Sequence, residues 1–270
     1  MNWTQVCYCY DGSFAGFLCC IYHSYFYHEI PACFSTPDDL RLSLWPQREV
    51  ANDRAQAGRV YRSLAEKISP GARALVARGF LTCLPERELH LWRLIRLGYR
   101  QGARLMSDLT ADEVCIVRQA VHHLEHEAHL LKGFVRFSDQ EGVLVSQISP
   151  KNRVLPLLQP HFCSRYPGEA FIIHDRTHRQ ALFHRQGQWA IVPLEAFQIG
   201  APGEDERAWR GLWRRFYDTI AIEGRYNPKC RMTQMPKRYW ENMTEFQTDP
   251  AGPVLPSPEG SRTGLSFMGS

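Results

Sequence analysis

Gly133-Phe134-Val135-Arg136-Phe137-Ser138 is where the sequence changes its period. Up to Leu131 apolar side chains recur every three or four residues, the spacing of one helix face. From Gly133 they alternate, the spacing of one strand face. Four more segments alternate in the same way: Val143–Ile148, Ala170–His174, Arg179–Arg185 and Gln188–Leu194. The last two are separated by Gln186-Gly187, which predicts a tight hairpin. Between the second and third strands, residues 154–166 carry Pro156 and Pro160 and read as a short helix or an ordered loop.

Outward from this sheet, both flanks read as helical. Residues 6–10 suggest one short strand, after which Asp11-Gly12-Ser13 turns the chain and caps a helix with Phe14, Phe17, Leu18, Ile21 and Tyr25 on one face. Thr36-Pro37-Asp38-Asp39 has the form of another helix start. A polar helix is expected over residues 52–68, a restart at Ser69-Pro70-Gly71, and a further helix from Pro85 to about Gln101. Thr110 and Glu113 have the spacing of a capping box for a long helix reaching Leu131. Past Gly203, Trp209, Leu212, Trp213, Phe216, Tyr217 and Ile220 define one more apolar helix face. The expected fold is therefore α+β. A helical region (1–132) precedes a unit (133–249) of about five antiparallel strands with C-terminal helices packed on it, the two forming one compact body. Residues 250–270, dominated by Pro, Gly and Ser, read as a disordered tail.

With 270 residues, 44% of them hydrophobic and 22% charged, the chain can bury a core, which excludes disorder throughout. It contains no run of ~20 apolar residues, so no membrane span is expected. The apolar stretch 14–21 follows an acid rather than a basic segment and precedes no cleavage site, so an internal element and a cytoplasmic protein are expected. None of the nine cysteines forms a C-x-x-C pair, and most read as buried thiols.

Two groups of residues suggest chemistry. Arg93, Arg96, Arg100 and Arg104 recur at three and four along one helix, and Arg207, Arg210 and Arg214 form a second cationic set. Lys237 and Arg238, beside Tyr239 and Trp240, add a third. Cations with interleaved aromatics suit phosphate contact and base stacking, so these eleven residues are the candidate nucleic-acid contacts. The second group is histidine-rich. Glu127, His129, His161, His174 and Asp175 are candidates for general acid–base work, since an imidazole near neutral pKa beside a carboxylate can move a proton or hold a phosphate. Equally, His161 and His174 can be packed core residues and Asp175 a turn cap. His122 and His126, at i and i+4, can chelate a metal, but His126-Glu127-Ala128-His129 is one residue too short for H-E-x-x-H and a polar helix face with histidines is common, so neither a metal nor a cofactor is expected. Phosphate-binding loops, dinucleotide fingerprints, nucleophile elbows and zinc-deaminase signatures are all missing from the sequence.

Several stretches resemble an uncharacterised bacterial family of probable DNA-metabolism proteins. They are Tyr10-Asp11-Gly12-Ser13-Phe14, Glu127-Ala128-His129 with residues 132–137, Pro160-His161-Phe162, Ile172-Ile173-His174-Asp175 and residues 235–240 with Thr244-Glu245-Phe246. Members of that family are typically encoded beside a radical-SAM protein assigned to DNA modification or repair, and some are fused to a uracil-DNA-glycosylase-like domain. The resemblance implies an association with DNA repair or modification; together with the cationic residues it leads to the expectation of a protein that binds single-stranded or damaged duplex DNA and works with the radical-SAM protein. No stretch resembles a glycosylase active site, so base excision is not implied. Two alternatives stand beside this reading: an enzyme acting on DNA or a nucleotide through the His/Asp set, and a protein-binding adaptor of the radical-SAM enzyme.

Overall fold

The structure, a computed structural model, describes residues 3–37, 39, 43–108, 110–195 and 235–243. The helix expected past Gly203, with Arg207, Arg210 and Arg214, and the tail from Pro250 lie outside the described residues.

The chain opens with strand β1 (Thr4–Cys9), helix α1 (Phe14–Phe26), β2 (Glu29–Ser35) and β3 (Gln47–Glu49). These strands form a parallel sheet in the order β2-β1-β3. Only β1 was legible beforehand. β2 carries a proline and β3 is Gln-Arg-Glu, so neither alternates apolar and polar side chains. Both are held by ladder hydrogen bonds to the buried β1 instead. At the helix start expected at residues 36–39, the Asp39 carboxylate accepts from the Thr36 backbone N–H (2.9 Å) and hydroxyl (3.1 Å), and residues 38 and 40–42 lie outside the described residues. Cys7 and Cys33 are register partners on β1 and β2, with Cα atoms 4.7 Å apart, and are joined as a disulfide. Cys9, Cys19, Cys20, Cys83 and Cys163 are free thiols.

Helices α2 (Arg54–Ser63), α3 (Pro70–Gly79) and α4 (Arg87–Gln101) follow, α2 running on into a π-helical turn at Leu64–Ile68. Caps set the starts of the first two. Asp53 accepts from the amides of Ala55 and Gln56, and Ser69 from that of Ala72, with Pro70 in the first turn. A 3-10 turn (Gly102–Ser107) leads to the long helix α5 (Asp112–Phe134). The capping box expected at its start does not form. The Thr110 hydroxyl turns back to Asp108, and Glu113 takes His90 and Arg93 of α4 instead.

Helix α5 joins two cores. Val114, Val117 and Val121 pack with Phe17, Ile21, Trp92 and Ile95 of the N-terminal layer. One helical stripe further on, Leu124, Ala128 and Leu131 pack with Leu155, Phe162, Phe171 and Leu182 of the second layer. The packing boundary thus falls inside α5.

The second layer is a five-stranded sheet in the order β4-β5-β6-β7-β8: Ser138–Gln140, Val143–Ile148, Ala170–Asp175, Gln180–Arg185 and Gln188–Pro193. The α+β class and a mostly antiparallel five-stranded sheet stand as expected, with two differences. The strand expected at Gly133–Ser138 does not form there, because Leu131 and Phe134 continue the apolar face of α5 and the first strand is the short Ser138–Gln140. β5 and β6 run parallel, because residues 155–165 form helix α6 and carry the chain across the sheet. The remaining pairs are antiparallel. Gln186 (φ 51°) and Gly187 (φ 75°) both sit in the left-handed region, which matches the twist of the β7–β8 hairpin. A 3-10 turn at Lys237–Asn242 closes this layer by burying Tyr239 and Met243. No helix among the described residues is long and apolar enough to cross a membrane.

Candidate nucleic-acid interface

The five candidate acid–base residues have separate surroundings. Glu127 is 2% exposed. Its carboxylate accepts from the Lys151 amide (3.0 Å), the Asn152 amide (2.8 Å) and the Asn152 side chain (2.7 Å), and pairs with Arg238 at 3.2 Å. It therefore ties the 149–153 loop and the 237–242 turn to α5. His129 is exposed on the outer face of α5. His161 lies edge-on to Phe162, and burial, with Lys132 and Arg165 nearby, holds its imidazole below the usual histidine range. His174 is buried, its Nε2 at 3.1 Å from the Leu194 carbonyl. Asp175, next on the strand and so on the opposite face, accepts from the amides of Thr177 and His178 and the His178 ring. That is a turn cap. Among the described residues no three His, Cys, Asp or Glu side chains gather as a metal site, and His122 and His126 are both exposed on α5.

The arginine stripe divides. Arg93 lies over α5 and pairs with Glu113 at 3.3 Å. Arg96 packs between Trp3 and Trp92, 4.9 and 5.1 Å from the two ring centroids. Arg100 and Arg104 are exposed. In the C-terminal turn, Lys237 and Arg238 are exposed, whereas Tyr239 is in the core against Phe134 and so is closed to a base. Trp240 is half-buried, its indole N–H donating to the Met235 carbonyl (3.1 Å).

What the sequence reading missed lies next to Arg96. A groove of about 730 Å³ runs between α1, the α2 helix with its π-helical turn, and α4. One wall is aromatic: Tyr22, Tyr25 and Phe26 from α1 and Tyr99 from α4. The other carries Arg59, Arg62 and Lys67, with Glu66 as the one acid. Phe26 is 62% exposed, its ring stacked on Tyr22 at an interplanar angle of 14°. Lys67 reaches over the Tyr99 ring at 5.8 Å, and Tyr99 lies edge-on to Tyr25. Burial raises the Tyr25 hydroxyl pKa to about 12, with Arg96 and Arg100 pulling the other way, so it is neutral at physiological pH. Trp3 contacts Tyr25 on one side and Arg96 on the other, which makes the groove and the α4 stripe one surface. The 3-10 turn bearing Arg104 continues it, since Gly102 lies against the Lys67 backbone. A signal was present in the sequence: Tyr22 and Phe26 are at i and i+4, as are Arg59 with Ser63 and Arg62 with Glu66. It does not say that the two helix faces look at one another.

A surface of this kind, cations along one wall and stackable rings along the other, has the chemistry to contact phosphates and to stack planar rings. The chain itself belongs to a family of unknown function, DUF4130, whose model matches residues 85–245. No curated protein and no solved structure matches the chain.

Proposed function

We propose that this is a DNA-metabolism protein that binds single-stranded nucleic acid along the α1–α2–α4 groove. The observation that carries this reading is the exposed Phe26–Tyr22 stack facing Arg59, Arg62 and Lys67. Every base has a π-face, so such a stack holds a strand whatever its sequence, while the cations follow its phosphates. A duplex keeps its bases inside and offers the rings nothing. Damaged duplex enters this account only where it exposes unpaired bases. The resemblance to DNA-metabolism proteins encoded beside a radical-SAM enzyme supports a role in DNA repair or modification with such a partner. The same reading places the protein in the cytoplasm, where reduction would leave Cys7 and Cys33 as thiols aligned by the β1–β2 ladder.

The test is fluorescence anisotropy with a labelled oligothymidine of about 15 nucleotides. Replacing Phe26 and Tyr22 together by alanine removes two partly exposed rings. Stacking is worth roughly 1–3 kcal/mol per base, so affinity should fall at least about tenfold with the fold retained. Equal binding by wild type and the double variant would reject the groove, and stronger binding to intact duplex than to single strand would reject the stacking role.

A further inference from the structure

A second cleft, of about 690 Å³, lies at the seam between the two layers and away from the groove. Its position follows from the topology of the parallel sheet. The chain leaves β1 into Asp11–Ser13, leaves β2 into Thr36, and leaves β3 toward Asn52. The loops that leave the carboxyl ends of β1 and β2 line one side of the cleft. Asn52, past β3, holds the β1 exit loop in place, donating to Asp11 (2.8 Å) and Ser13 (3.0 Å). The opposite wall comes from the second layer: Arg153 before α6, Gln180 on β7 and Pro193 on β8.

The charged groups lining this cleft are hydrogen-bonded within the protein except at one place, Asp11 and Asp39 by neutral donors and Glu88 by an arginine. Asp11 accepts from the Ser13 amide and hydroxyl as well as Asn52, and Asp39 is taken by Thr36. Glu88 accepts from Tyr10 (2.9 Å) and from Arg87 (2.9 Å), whose guanidinium also lies on the Phe80 ring. Arg153 is different. Its guanidinium is half-buried and has no hydrogen-bond acceptor or carboxylate in contact among the described residues, with Glu88 and Asp175 acting only at longer range. Its backbone is fixed, because its amide donates to the Leu81 carbonyl at 2.9 Å. Burial and the nearby Arg87 both disfavour the charged form, so this cation is held where it lacks an anion. A guanidinium fork of this kind matches two phosphate oxygens at once.

We propose that this cleft is a nucleotide-phosphate site, in which Arg153, with Arg87 beside it, takes the phosphate and the space beside the strand-end loops receives the attached nucleoside. The volume suits a ligand of nucleotide size, well above a bare phosphate. The site stands apart from the groove. Arg87 opens α4, whereas Arg93, Arg96 and Arg100 follow it by six, nine and thirteen residues, which at about 100° per residue puts them on the far side of the helix. Groove and cleft can therefore stand or fall separately.

The test is isothermal titration calorimetry on the full chain with deoxyadenosine 5′-monophosphate, deoxyadenosine and inorganic phosphate. The monophosphate should bind at least about tenfold more tightly than the nucleoside, and inorganic phosphate should compete with it. Arg153→Ala should remove that preference, and Arg153→Lys, which keeps the charge without the fork, should retain part of it. An oligonucleotide with a 5′-phosphate, set against its 5′-hydroxyl twin, identifies the source. Arg153-dependent preference for the phosphorylated strand means a strand end, and preference for the mononucleotide alone means a free nucleotide. Equal affinity for monophosphate and nucleoside, or a preference that survives Arg153→Ala, overturns the proposal. Should both variants fail to fold, the wild-type comparison of monophosphate with nucleoside still decides it.

Discussion

Glu127 shows how one residue can have the chemistry of a catalyst and the surroundings of a fastener. Three donors from residues 151–152 converge on its carboxylate, Arg238 pairs with it, and the side chain is out of water. Removing a buried charge leaves those donors and Arg238 without an acceptor. Glu127→Ala should therefore lower the unfolding free energy by roughly 3 kcal/mol, read from urea denaturation, and Glu127→Gln should cost less because one oxygen remains in place. A loss below about 1 kcal/mol would mean that the loop is anchored elsewhere. Neighbour spacing identified Glu127 and Asp175 as unusual acids. Their partners are the 149–153 loop and the 176–178 turn, and spacing along one helix or strand carries no information about which loop folds over it. Arg153 was missed for the converse reason. A single arginine in a polar stretch looks solvated until the seam between two layers encloses it.

At the scale of elements, period was the reliable guide. The α1 face, the Ser13 cap, the restart at Ser69-Pro70 and four of the five strands of the second sheet all follow from local pattern. Elements held by their neighbours rather than by their own composition did not show: β2, β3 and the parallel β5–β6 crossover. The start of α1 gives a test in which local propensity and packing disagree. Gly16 lies in its first turn, and a Cβ there would collide with the Asp11 carboxylate folded over the helix end. Propensity alone has Gly→Ala gaining up to about 1 kcal/mol. The contact reverses the sign, so Gly16→Ala should destabilise by roughly 1–3 kcal/mol in the same urea assay. A stabilised variant would show that Asp11 is free to move aside.

For the whole molecule, α5 sets the arrangement. By serving both cores with one stripe, it fixes the N-terminal layer beside the five-stranded sheet, with the cleft at their seam and the groove on the free side of α1, α2 and α4. The arginines of the α4 stripe have different surroundings. Arg96, Arg100 and Arg104 extend the groove, while Arg93 is taken by Glu113. The most direct measurement of the central claim is the salt dependence of single-strand affinity. About three to four phosphates neutralised along the groove give a slope of about −2 to −3 for log affinity against log salt. Replacing Arg59 and Arg62 together by alanine should flatten that slope by about 1.4. A wild-type affinity indifferent to salt, or a slope unchanged in the double variant, would contradict it.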